Sequence, residues 1–96
     1  MPYSAINSND PLKTKKETVF NLFKEFLELD EVKSRPTMLM SYMPQLNKEL
    51  EAQGTDFTVM SVILNSADRN NISLGKAYGQ FSDGTKWGFS FSDFLN

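Results

Sequence analysis

The stretch ISLGKAYGQFSDGTKWGFSFS, residues 72–92, decides the fold of this chain. Two runs rich in aromatic and small residues flank the dipeptide Asp83-Gly84. An Asp-Gly pair in such a position is typical of a two-residue type I′ turn, which joins antiparallel strands. We therefore predict a β-hairpin with strands at 72–81 and 85–92.

The register of this hairpin decides which side chains share a face of the sheet. A two-residue turn places Ser82 opposite Thr85, and Gly79 then lies opposite Gly88 on a smooth face. The pairs on the other face are Gln80 with Trp87, Tyr78 with Phe89, and Lys76 with Phe91. That face is heavily aromatic, and we expect it to form the core rather than a platform for stacking single-stranded nucleic acid.

Residues 57–64, with the sequence FTVMSVIL, are compatible with two structures. Their short length and their β-branched residues favour a buried strand. Phe57, Met60, Leu64 and Ala67 nevertheless have helical spacing, and Asp56 is a suitable N-cap. We predict a strand because a hairpin follows, and a helix over 57–67 is the alternative.

Two amphipathic helices are predicted before this segment. The first begins near residue 10 or 14 and ends near residue 30, with apolar residues over an arc of about 180°. The second covers about 37–53 and is bent or restarted near residues 41–44, because Pro44 lacks a backbone donor. Residues 1–9 are small and polar, which predicts a flexible N-terminal arm before a single domain at 10–96.

These elements together predict an α+β fold. Two N-terminal helices pack on one face of a three-stranded antiparallel sheet (ααβββ), and the strand at 72–81 lies in the middle. If residues 57–67 form a helix instead, the order becomes αααββ, which is that of a winged helix.

The composition argues against several classes of function. The 96 residues include no Cys and no His, so the commonest nucleophile, general base and zinc ligands are missing. We therefore predict no enzymatic activity, no cofactor and no metal. A net charge of −2 does not favour nucleic acid, no apolar run is long enough to span a membrane, and the N-terminus lacks a signal-peptide pattern. We expect a cytoplasmic protein.

The remaining class is a non-catalytic module that binds another protein. An acidic helix face and surplus Met and Tyr residues suit electrostatic steering and apolar contact. The candidate partner-binding residues are Glu17, Glu28, Glu31, Met38, Met40 and Tyr42. The small size suggests an inhibitor, an immunity protein or a phage anti-defence protein. The wide apolar arc of the first helix also suits a homodimer interface, and polar replacement of Phe20 or Leu27 would then release the monomer.

The alternative function is nucleic-acid binding by a winged-helix protein. Such a module places a helix in the major groove and a basic wing on the backbone. The candidate contacts are Arg69, Lys76 and Lys86. These cations are few, and acidic residues of the first helix oppose them.

Overall fold

A computed structural model describes residue 3 and residues 5–64 and 71–95 of the chain. In these residues, four helices precede a three-stranded antiparallel sheet with the strand order β1-β2-β3, which confirms the α+β fold. The helices are α1 (Lys13–Leu27), α2 (Asp30–Ser34), α3 (Met38–Ser41) and α4 (Met43–Ala52). The strands are β1 (Phe57–Ile63), β2 (Lys76–Phe81) and β3 (Lys86–Ser90), and short 3₁₀ turns precede β2 and follow β3.

Each predicted helix is divided into two. The first ends at Leu27, and Asp30 begins α2, because continuation of α1 would carry this carboxylate into its apolar arc. The second is interrupted after Ser41 and restarts at Met43. Pro44 lies in the first turn of α4, where its missing N–H has no intrahelical partner to lose. The predicted restart is therefore confirmed.

The segment that separated the two fold predictions is a strand. Residues 57–63 form β1 and pair with β2 over their whole length. The winged-helix alternative, which needs a helix at 57–67, is wrong for these residues, whereas residues 65–70 lie outside the described part of the chain. As predicted, β2 is the central strand.

The predicted hairpin register is wrong by one residue. The Phe81 N–H donates to the Thr85 carbonyl at 2.8 Å, and the Gly84 N–H donates to the Phe81 carbonyl at 2.9 Å. Three residues, Ser82 to Gly84, therefore form the loop. A type I′ turn would need positive φ at both Asp83 and Gly84, whereas the longer loop needs it only at Gly84, where φ is +94°.

This shift redistributes the aromatic side chains. Trp87 lies opposite Gly79 and Phe89 opposite Ala77, so both rings face the helices, whereas Tyr78 lies opposite Gly88 on the other side of the sheet. The two glycines do not face each other, contrary to the prediction. The expectation that the aromatic residues of the hairpin belong to the core is confirmed for Phe89 and Phe91, which are buried, and is wrong for Tyr78, which is exposed.

The wide apolar arc of α1 is buried within its own chain. The ring centroid of Phe20 lies 4.9–5.2 Å from the rings of Tyr3, Trp87, Phe89 and Phe94. Leu27 is also buried, so this arc does not offer the subunit interface suggested by the sequence. Within the N-terminal segment, Tyr3 and Ile6 are buried, and the Tyr3 hydroxyl donates to Oδ1 of Asn21 at 2.5 Å.

Candidate binding surface

Within the described residues, one face of the sheet is covered by no helix. Alternate side chains of the three strands point to it, and we call this set the open face. Its members are Thr58, Met60, Ser61, Ile63, Lys76, Tyr78, Gln80, Lys86, Gly88 and Ser90. Met60 is 62% exposed, Ile63 49% and Tyr78 42%. Three large apolar side chains thus share a surface on which the described part of the chain places no second layer.

A β-bulge places Met60 on this face. Val59 pairs with Gly79 and Ser61 with Tyr78, so Met60 is an extra residue in β1. The insertion lets Val59 and Val62, three residues apart, both point into the core. A methionine within an apolar run of this kind is expected to fill the core. That expectation is wrong for Met60, because the bulge turns its side chain outward.

Tyr78 lies across the backbone of Gly88 at the centre of the open face. A Cβ atom at Gly88 would come within 2.5 Å of the Tyr78 ring, so the ring occupies the space where a side chain would stand. An open hollow of about 450 Å³ lies between Met60, Tyr78 and Lys86. A second hollow, of about 440 Å³, lies between Tyr78, Lys76 and Asp93. The open face therefore has two hollows as well as exposed apolar side chains.

The charges on the open face are positive. Lys76 and Lys86 are both exposed, and neither forms a salt bridge within the described residues. No aspartate or glutamate belongs to the open face, although Asp93 lies just beyond the end of β3. The structure thus brings together two of the three residues proposed for nucleic-acid contact. The third, Arg69, lies outside the described residues.

The partner-binding residues predicted on the helices are spread over a different side of the fold. The Tyr42 hydroxyl donates a hydrogen bond to the Glu31 carboxylate, and this bond raises the pKa of Tyr42. The Tyr42 ring also packs edge-on against Phe26, with the centroids 5.7 Å apart. Glu28, just after α1, forms an exposed ion pair with Lys33 at 3.1 Å.

The other three predicted residues are less closely associated. Met38 is half-buried against the core, and Glu17 is half-buried on α1. Met40 is exposed and lies beside Ile63, in a hollow of about 350 Å³ at the border of the open face. The structure thus joins Glu31 to Tyr42 and places Met40 near the sheet, but it does not assemble all six residues into one patch.

The Asn47 side chain caps the outer edge of β1. The Val59 N–H donates to Oδ1 of Asn47 at 2.7 Å, and the Asn47 side-chain amide donates to the Val59 carbonyl at 3.1 Å. A side chain from α4 thereby satisfies both backbone groups that Val59 directs away from β2. Such capping prevents another strand from pairing at this point. No local sequence pattern indicates this contact, since the two residues meet only in the folded chain.

A polar network joins α1, β1 and the hairpin loop. Lys15 of α1 forms an ion pair with Asp56 at 2.9 Å, and the Ser82 hydroxyl donates to the same carboxylate. The hydrogen bond from Ser82, together with that from Lys15, lowers the pKa of Asp56 to about 2. This carboxylate serves as a structural link, because all its partners belong to the framework.

Within residues 3, 5–64 and 71–95, no cluster of three or more His, Cys, Asp or Glu side chains has a geometry suited to a metal ion. No helix in the same residues is both long enough and apolar enough to cross a membrane. The chain matches no protein-family model, and comparison with curated proteins and with solved structures finds no similar chain. The open face is therefore the feature of the described residues from which a function can be inferred.

Proposed function

We propose that this chain is a non-catalytic protein-binding module and that the open face is its contact surface. The observation that carries the proposal is the shared exposure of Met60, Ile63 and Tyr78 on the sheet face opposite the helices. Exposed apolar side chains that lie together are typical of interaction sites, whereas single exposed apolar residues are ordinary. Lys76 and Lys86 add positive charge, which suits a partner with an acidic surface.

The side chains of the open face favour contact with protein side chains over contact with nucleic-acid bases. Met60 and Ile63 are aliphatic, and aliphatic side chains contribute by desolvation instead of ring stacking. Tyr78 is the single large aromatic residue among the exposed apolar side chains of the described residues. The net charge of −2 also provides little attraction for a phosphate backbone. Nucleic-acid binding through Lys76 and Lys86 is therefore the second candidate function.

The experiment compares the two sides of the fold in one binding assay. A partner captured with the tagged chain is purified, and its affinity is measured for wild type and two variants. One variant carries Met60→Gln, Ile63→Gln and Tyr78→Gln, and the control carries Glu28→Gln, Glu31→Gln and Tyr42→Phe. We expect the first to weaken binding at least about tenfold, or about 1.4 kcal/mol, and the control to change it less than about threefold.

The opposite pattern would move the interface to the helix residues predicted from sequence. Unchanged affinity in both variants would overturn both surfaces. If the captured partner is a second copy of the chain, light scattering at two concentrations shows a homodimer, and the same variants locate its interface. The narrower proposals of an inhibitor, an immunity protein or a phage anti-defence protein, and of a cytoplasmic location, rest on size and composition alone.

A further inference from the structure

The outer edge of β3 lies beside the open face and has backbone groups that find no partner among residues 3, 5–64 and 71–95. Backbone hydrogen bonds join Thr85 to Phe81 and Phe91 to Gly75 at the two ends of β3. Hydrogen-bonded pairs alternate along an antiparallel ladder, so the N–H and C=O groups of Lys86 and Gly88 point away from β2. No hydrogen bond from the described part of the chain reaches these groups.

The free edge has a defined length. The Ser90 N–H also points away from β2, but it donates to Oδ2 of Asp93 at 3.1 Å, which closes the edge at that end. Lys86 follows the hairpin loop at the other end. The open part therefore runs from Lys86 to Gly88, whereas Asn47 closes the edge of β1 at Val59. A strand added to this sheet would pair with β3 rather than with β1.

The charges on the open face define the side chains that such a strand would carry. Lys86 lies opposite Gln80, and Gln80 is four residues from Lys76 along β2. Four residues of a strand span about 13 Å. Tyr78 lies midway between them over Gly88. In an added strand, side chains at i, i+2 and i+4 share one face and span the same distance. Beside β3, a residue at i would lie next to Lys86, one at i+2 next to Gly88 and the Tyr78 ring, and one at i+4 next to Ser90, with Lys76 behind it on β2. An acidic side chain at i would pair with Lys86, and an acidic side chain at i+4, beyond the last free backbone groups, would reach across Ser90 towards Lys76.

We propose that the edge of β3 binds an extended segment of a partner protein with the pattern acidic–any–apolar–any–acidic, as a fourth strand of the sheet. This inference rests on the proposed protein-binding function and adds the chemistry of the partner. Backbone hydrogen bonds at Lys86 and Gly88 provide the attachment, and the side chains on the open face provide the selectivity. The pattern is the same in both chain directions, so it holds for parallel and antiparallel addition.

The charge requirement is tested with a blocked peptide, Thr-Glu-Thr-Ile-Thr-Glu-Thr, and a control with Lys at both Glu positions. Trp87, the only tryptophan, lies between Lys86 and Gly88 and reports binding by fluorescence. We expect wild type to prefer the acidic peptide at least about tenfold at low salt. The variant Lys76→Glu/Lys86→Glu should reverse the preference. The control Lys33→Glu/Lys48→Glu has the same net charge but should retain it. Failure of the first variant to reverse the preference would overturn the charge assignment.

The strand geometry is tested on the peptide, so the fold is not disturbed. Two versions of the acidic peptide are N-methylated at alternate residues, one for each edge of the extended peptide. We expect one version to lose at least about tenfold in affinity and the other to bind as the parent does. Amide hydrogen exchange measures whether the backbone N–H groups of Lys86 and Gly88 become protected when the peptide binds. Equal binding by both methylated versions would overturn strand addition.

The outcomes separate this inference from the proposed function. If the open-face variant loses its captured partner but the peptides show no preference, protein binding stands and the acidic strand is overturned. If that variant retains its partner, the proposed function fails. A thymidine oligonucleotide that binds more tightly than the acidic peptide, with the same dependence on Lys76 and Lys86, would overturn the inference in favour of nucleic acid.

Discussion

The two faces of the central strand β2 differ in what they contribute to the molecule. Ala77, Gly79 and Phe81 face the helices and are buried, whereas Lys76 and Tyr78 face outward and are exposed. The same six-residue strand therefore supplies part of the core on one side and part of the proposed contact surface on the other. The apolar groups of the open face remain exposed outside the packed core, which leaves them available for binding.

Replacement of an aromatic residue on each side of the sheet gives the largest expected difference. Phe23 of α1 is fully buried and packs against Phe89, with their ring centroids 5.3 Å apart. We expect Phe23→Ala to lower the free energy of unfolding by about 3–5 kcal/mol, because it leaves a cavity in the core. Tyr78→Ala removes a half-exposed ring and should cost about 1 kcal/mol or less.

Urea denaturation of both variants measures these costs. The slope of the transition should stay close to that of wild type, so that the midpoints can be compared directly. A loss of more than about 3 kcal/mol in Tyr78→Ala would contradict the comparison, because it would give the open face a stability role as large as that of the core.

Gly79 and Gly88, one in each strand of the hairpin, allow the two faces to be compared by adding a single methyl group. A Cβ at Gly79 would overlap the carbonyl oxygen of Thr58 and come within 2.5 Å of the Phe57 ring. The backbone must then shift, and we expect Gly79→Ala to cost about 1–3 kcal/mol. At Gly88 the obstacle is the Tyr78 ring, which can rotate into solvent. Gly88→Ala should therefore cost less than about 1 kcal/mol.

Thermal or urea unfolding of the two alanine variants tests this difference. The double variant Gly88→Ala/Tyr78→Ala is the control, since removal of the ring should abolish any cost of the methyl group at Gly88. Equal costs at the two glycines would refute the assignment of Gly79 to the packed face and Gly88 to the open face.

The architecture could be predicted from local patterns, but the register could not. The strand character of 57–63 and the central position of β2 follow from β-branched content and from the hairpin signal. The dipeptide Asp83-Gly84, however, is compatible with loops of two and of three residues. One residue of difference moves Tyr78 and Trp87 to opposite faces, and no local signal distinguishes the two outcomes.

The candidate site was predicted only in part. Lys76 and Lys86 were selected as exposed cations, but for a winged helix rather than for a sheet face. Met60 was missed because a bulge has no sequence signal in this strand. Asn47 and Asp56 act through partners that are 12 and 26 residues away in the sequence, so their roles depend on the tertiary fold.

The smallest expected effect concerns the polar link between the helix layer and the hairpin loop. Asp56 accepts hydrogen bonds from Ser82 and Lys15, and its pKa in the folded chain is about 2, below the ordinary value of 3.8. The ionised carboxylate therefore stabilises the fold fully above about pH 4, and this contribution is lost as the pH falls towards 2.

Asp56→Asn should be less stable than wild type at pH 6, and the difference should shrink at pH 2. Because the group is partly exposed, added salt should also reduce the difference. Unfolding curves at the two pH values measure it, and a difference that is the same at both would show that the charge of Asp56 does not hold the loop. If Asp56→Asn loses this link but binds the acidic peptide as wild type does, then the link stabilises the sheet without contributing to binding at the open face.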